Sequence, residues 1–197
     1  PALSAQMRWL RSFRVAREGS AAAEMALVAP MLIGLMFGSF ELGNYFMSEH
    51  AVAKAVRDGA RFASRLPAST YICPAGGADG SAGSFATGTA AVLAQSQIKN
   101  VTRTGSIVDD PVNVPPRLRY WTAAQESAPL PNGSPITLTV TCRLASTYTG
   151  IFSGIEGNVP VITVAANVHY PSLLGQLGLS GTNLRLQSQS QVPVMGI

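Results

Sequence analysis

Charge is scarce in this chain. Asp, Glu, Lys and Arg make up 12% of its 197 residues, against 47% hydrophobic, where a soluble domain carries about 25%. That deficit excludes an ordinary, fully solvated surface, so some apolar sequence must face lipid or partner chains. Histidine is almost missing, with only His50 and His169, and cysteine is limited to Cys73 and Cys142. The usual metal ligands and near-neutral general bases are therefore few. No H-E-x-x-H, G-x-S-x-G, Walker or metal-ligand cysteine spacing occurs. An enzyme is not expected, and neither is a cofactor or a metal. Asp109-Asp110 before Pro111 reads as a loop turn, with a weak calcium site as the lesser alternative. Gly76-Gly77-Ala78-Asp79-Gly80 lacks the strand and helix context of a phosphate loop and reads as a flexible linker.

The basic balance, net +4 with a sequence pI near 9.5, suggests nucleic acid until it is divided along the chain. Residues 1–19 hold Arg8, Arg11, Arg14 and Arg17 against Glu18, a net of +3. From Ser20 onward, ten basic residues face nine acidic ones, a net of +1. The excess belongs to a leader, so no nucleic-acid partner is expected. Arginines ahead of an apolar run place the N-terminus in the cytoplasm and the bulk of the chain on the far side of the membrane. Met7 is the expected start, which makes the leader thirteen residues ending at Gly19.

What is present is one long apolar run. Met25 to Phe40 is free of charge, and its sixteen residues rise about 24 Å as a helix, short of the roughly 30 Å hydrocarbon layer. Extension to Met47 spans it, enclosing Glu41 and placing Tyr45 and Phe46 near the outer interface. A cleaved secretory signal is the competing reading. Ala22, Ala26, Pro30, Gly34 and Gly38 recur every fourth residue, a small-residue face suited to close helix packing, although membrane helices use Gly and Ala freely. Pro30 removes one helical hydrogen bond. Glu24 stands at the lip of the run, where a carboxylate is costly unless it is paired or snorkels to water.

Beyond the span, Val52, Ala55, Val56, Gly59, Phe62 and Ala63 keep helical spacing, so one helix is expected from about Ala21 to Arg65, ended by Pro67. A second is expected over Thr89 to Arg103, with Ala90, Leu93, Ala94, Ile98 and Val101 on its apolar face. The period then becomes two at 136–144, 162–170 and 184–192, three half-buried antiparallel strands, with Leu118 and Tyr120 offering a fourth. The helices at 49–65 and 89–103 are the expected cover for that sheet. The fold class is therefore α+β: a leader (1–19), a long N-terminal helix (20–66) and an exported domain (67–197). In an oxidising compartment Cys73 and Cys142 are expected to form one disulfide, two free thiols being the alternative. Apolar loops at Tyr148, Ile151, Phe152, Ile155 and at Leu173, Leu174, Leu177, Leu179 are either subunit contacts or caps on the sheet's own core.

Gly19-Ser20-Ala21-Ala22-Ala23-Glu24-Met25-Ala26-Leu27-Val28-Ala29-Pro30, then Gly38-Ser39-Phe40-Glu41-Leu42-Gly43, then Ala55-Val56-Arg57-Asp58-Gly59-Ala60-Arg61 together resemble the TadE/TadG-like pseudopilins (minor pilins) of the tight-adherence, or Flp-type (type IVc), pilus system. The likeness covers roughly residues 17–65. It implies cleavage by a prepilin peptidase between Gly19 and Ser20. It also implies assembly with other pilin and pseudopilin subunits on an inner-membrane platform, and pairing of Glu24 with the new amine of Ser20 on a neighbour. The alternatives are an uncleaved membrane-anchored periplasmic adaptor of the same machinery and, from another class, a tethered periplasmic enzyme.

Overall fold

The structure, a computed structural model, describes residues 18–108, 110, 112–129, 133–147, 149, 157–172, 175 and 184–196. Two units meet at the Gly43–Asn44 boundary. Helix α1 (Glu18–Ser64) runs through that boundary and past Pro30. A long N-terminal apolar helix followed by helices and antiparallel sheets is an α+β fold.

In the second unit α1 buries one stripe. Val52, Ala55, Val56, Ala60 and Ala63 are fully enclosed, while Lys54, Arg57, Arg61 and Arg65 are exposed. The 3- and 4-residue steps put these side chains on one face. The helix closes with tightened bonds from Arg65 N–H to Phe62 O and Leu66 N–H to Ala63 O, ahead of Pro67. Tyr71 donates its hydroxyl to Ala63 O at 2.7 Å, a second donor to a carbonyl that already accepts from Leu66 N–H and has two lone pairs to offer. Burial pushes the Tyr71 phenol well above its ordinary pKa.

The main sheet is antiparallel with order β2-β4-β5-β6, from β2 (Ser81–Ala82), β4 (Ile136–Leu144), β5 (Asn158–His169) and β6 (Arg185–Pro193). The register sets Ile136 opposite Ala166, Val140 opposite Ile162, and Val168 opposite Leu186. One face is therefore apolar and packs with the α1 stripe, Ile98 and Trp121 in a single core. The other carries Thr137, Thr139, Thr163, Asn167 and the β6 glutamines, the alternation expected of a sheet covered on one side.

Two expectations about the sheet need correction. Leu118 and Tyr120 lie in a turn rather than a strand; both pack against the core beside the fully buried Trp121, whose Nε1–H donates to Ser134 O at 3.2 Å. The fourth strand comes instead from Ser81–Ala82, directly after the Gly76–Gly80 segment read as a linker. Ser81 pairs with Cys142 and Ala82 with Thr141, and a two-stranded ladder joins β1 (Tyr71–Ile72) to β3 (Ser84–Phe85). Three contacts pin this segment. Cys73 and Cys142 are bonded, with their Cα atoms 5.7 Å apart. Asp79 accepts from Leu144 N–H at 3.0 Å and from Arg143 Nη1 at 2.8 Å. Gly83 lies where a Cβ would come 2.7 Å from Cys142 Sγ. Closing a loop of 69 residues stabilises by about 4 kcal/mol in the chain-entropy model.

Helix α2 (Thr89–Thr104) ends at Gly105, whose left-handed φ of 87° lets its N–H reach Val101 O. Its buried face is turned from the expected one: Ala91, Ala94, Ile98, Val101 and Thr102 are covered, whereas Ala90 and Leu93 are exposed. The notch at Gly59 explains the turn. A Cβ there would overlap Thr102 Oγ1 and come 3.1 Å from Thr102 Cβ, so α1 and α2 touch through a side chain seated on bare backbone. A short helix, α3 (Ala123–Ser127), has a capping box in which Thr122 and Gln125 bond reciprocally. Glu126 on it receives Lys99 at 2.8 Å and Arg103 at 3.1 Å. Arg117 holds Asp58 at 2.7 Å.

Gly59→Leu is expected to lower stability by about 1–3 kcal/mol through overpacking against Thr102, read as a shifted denaturant midpoint. Gly43→Leu, with nothing within 4 Å of its Cβ position, is the neutral control. Bonds from Leu144 and Arg143 hold the Asp79 carboxyl below its ordinary pKa. The stability it adds is therefore present above the normal carboxylate range and is lost as pH falls through the folded value. Asp79→Asn should lower the midpoint at neutral pH and flatten its fall on acidification; an unchanged acid limb would refute the assignment.

Candidate functional site

The residues singled out at the N-terminus all lie on α1. Gly19 and Ser20 fall within its first turn; the arginines of the leader lie outside the described residues. Ala22, Glu24, Ala26, Pro30 and Gly34 are exposed, and Gly38 is half-buried. At both Gly34 and Gly38 a Cβ would meet no described atom within 4 Å. The four-residue spacing thus makes an open face bare of side chains for about two turns.

Around that face stand large apolar side chains. Leu27 is 76% exposed, Met31 71% and Leu35 68%, with Ile33, Phe37, Phe40 and Leu42 also exposed. A soluble protein does not leave so long an apolar surface in water. Among the described residues this is the helix long and apolar enough to cross a membrane. The hydroxyl of Ser39, inside the apolar stretch, donates to Leu35 O at 2.6 Å, which removes the penalty of an unpaired donor in lipid. The anchoring role of the helix follows from this surface.

Where the second unit begins, the helix acquires partners. Asn44 Nδ2 donates to the Tyr170 hydroxyl at 2.9 Å. The Tyr45 ring meets Tyr170 edge-on, with centroids 5.3 Å apart, and Tyr120 approaches Tyr170 from another side at 6.3 Å. The sequence places Tyr45 near a membrane interface and assigns it no partner in the fold. Tyr170, fully buried at the end of β5, is that partner. The only advance sign was its place on the apolar side of the β5 alternation.

The residues considered for catalysis do not converge. His50 is exposed on α1. His169 lies half-buried in β5 with Nδ1 shielded, and its backbone N–H donates to Ser134 Oγ at 3.0 Å. Asp110 turns back on its own loop: Oδ1 accepts from Val112 and Asn113 N–H, and Oδ2 from Asn113 Nδ2 at 2.6 Å. Those bonds hold its carboxyl below the ordinary pKa; Asp109 lies outside the described residues. Among the described residues no three potential ligands cluster to hold a metal ion. The apolar loops at 148–155 and 173–179 fall almost wholly outside the described residues.

Cys73 and Cys142 lie beyond α1 and brace the main sheet rather than this site. The family model of the TadE-like proteins matches residues 19–61. No curated protein and no solved structure matches the chain. The match opens at Gly19 and takes in Glu24, the small-residue face and the buried stripe as far as Arg61. Over residues 19–61, which carry the long apolar helix, the chain is similar to the TadE-like proteins.

Proposed function

We propose that this chain is a minor pilin, or pseudopilin, whose work is assembly rather than catalysis. In this reading a prepilin peptidase cuts between Gly19 and Ser20 on the cytoplasmic face of the inner membrane, with the sheet-bearing unit in the periplasm. The trimmed subunit then joins other pilin and pseudopilin subunits on the assembly platform of a tight-adherence pilus.

The observation that carries the reading is the exposed helix. A stretch with Leu27, Met31 and Leu35 each more than two-thirds uncovered, and an open face at Gly34 and Gly38, needs lipid at one stage and can pack on neighbouring helices at another. Van der Waals contact between small-residue faces brings membrane helices together, because lipid tails are as apolar as the side chains they replace. The start of the TadE-like match at Gly19 supports the cleavage position.

Cleavage would change the electrostatics of the helix start. It would remove a leader of net +3 and create an α-amine, protonated near neutral pH with a pKa of about 7.7–8.0. Glu24 would then be its fifth residue. A carboxylate and an ammonium drawn together in an apolar bundle attract strongly, and either one left alone is costly. Pairing Glu24 of one subunit with the Ser20 amine of the next therefore sets the axial register between helices. The fixed adaptor of the same machinery would need neither group.

The two readings separate in a strain with and without its prepilin peptidase. Intact-mass and N-terminal analysis should find a chain beginning at Ser20 only when the peptidase is present, and Gly19→Asp should block that cut. Glu24→Ala should leave cleavage largely intact while lowering the amount incorporated into pili by at least about tenfold, consistent with an unpaired buried charge. Retention of the leader in the presence of the peptidase, or normal piliation by both variants, would establish the fixed anchor instead.

A further inference from the structure

The outer strand of the main sheet carries an inference independent of leader processing. β6 pairs with β5 along one side, and among the described residues no strand lies along the other. Two bonds bracket the β5–β6 ladder and determine which backbone groups point outward. Tyr170 N–H donates to Leu184 O, and Val194 N–H to Pro160 O, both at 2.9 Å and both in the register that pairs Val164 with Ser190. Antiparallel ladders alternate doubly bonded pairs with pairs that make no bond. Leu186, Ser188, Ser190 and Val192 therefore bond to β5. The backbone N–H and C=O of Gln187, Gln189 and Gln191 are turned away from it, towards the open edge.

Sheet edges are ordinarily guarded by an internal charge, a bulge or a mid-strand proline. None interrupts residues 186–192: Leu186-Gln187-Ser188-Gln189-Ser190-Gln191-Val192 is uncharged, and Pro193 follows only at its end. The stretch also reads nearly the same in both directions about Gln189. Antiparallel pairing with a second copy, about a twofold axis through Gln189, sets each residue opposite its like. Gln187 faces Gln191, Ser188 faces Ser190, and Leu186 faces Val192 on the core side. A second copy brings no charge to this stretch, so no like charges meet. Each of the three glutamines donates one N–H and accepts one at its carbonyl. The missing N–H of Pro193 falls at the end of the ladder, where it interrupts nothing.

We propose that β6 is a homotypic docking edge, at which two copies of this chain join their four-stranded sheets into one continuous sheet. The occupant is a second copy because the palindrome matches β6 to itself in the one register that uses its whole length. An isologous contact of this kind closes on itself and does not propagate.

Cysteine scanning on the full chain in detergent micelles tests this. Directly opposed Cα atoms in a bonded antiparallel pair are about 5.5 Å apart, inside the roughly 4.4–6.8 Å span that a disulfide bridges. Residue 187 and its own copy would be four residues out of step, more than about 13 Å apart. On non-reducing gels Gln189→Cys should therefore shift to a band of twice the monomer mass. Gln187→Cys and Gln191→Cys should each stay monomeric alone and cross-link only when the two variants are mixed. Adding Gln187→Pro to the Gln189→Cys chain removes an outward N–H without touching the β5 ladder. It should abolish the dimer band while near-UV circular dichroism stays unchanged. A monomeric Gln189→Cys chain would overturn the proposal. So would Gln187→Cys cross-linking by itself as readily as Gln189→Cys, or a cross-link to a different subunit in its place.

Discussion

The second unit depends on the burial of one stripe of α1 under a half-polar sheet. Val52, Ala55, Val56, Ala60 and Ala63 are all but sealed from water, and most of them are small. Small residues let the helix axis approach its neighbours, so Ile162, Val164 and Val168 of β5 join them in one core. A buried valine or isoleucine contributes about 1.5–3 kcal/mol. The same smallness admits Thr102 of α2 at Gly59. Larger residues in the stripe would push away the sheet on one side and α2 on the other.

That constraint propagates outward. With α1 occupying one face of the sheet, the opposite face is left to Thr, Asn and Gln, which require no cover. The edges then need separate management. At the β4 edge the chain supplies β2 and secures it through the Cys73–Cys142 bond and the bonds of Asp79. At the β6 edge the described residues supply no such cover. Two edges of one sheet thus carry different chemistry, one braced by a disulfide within the chain and the other uncharged and nearly palindromic over residues 186–192.

Several features were visible in the residues beforehand for a definite reason. Periodicity is a local property, so α1 was readable from its 3.6-residue spacing and the strands from alternations such as Ile136-Thr137-Leu138-Thr139-Val140. What failed was long-range. Leu118 and Tyr120 alternate like strand residues but meet a turn, because Trp121 beside them is drawn into the core with Ser134 as its acceptor. Gly76 to Gly80 has the composition of a linker, yet φ values of 67° at Gly76 and 81° at Gly80 let it fold tightly back on β4. No local signal announced that Asp79 would meet Arg143 and Leu144, more than sixty residues away. The face of α2 was misjudged by one step because the notch that receives Thr102 belongs to another helix.

The sequence by itself determined the apolar helix, its charge-poor span, the carboxylate at its lip and the TadE-like motif over residues 19–61. Each of these rests on hydropathy and spacing within a few turns of chain. Only the tertiary structure decided which segment completes the sheet, what Tyr45 rests on, and which backbone groups of β6 point outward. Those outcomes depend on which distant residues come within bonding distance, and composition carries no information about that.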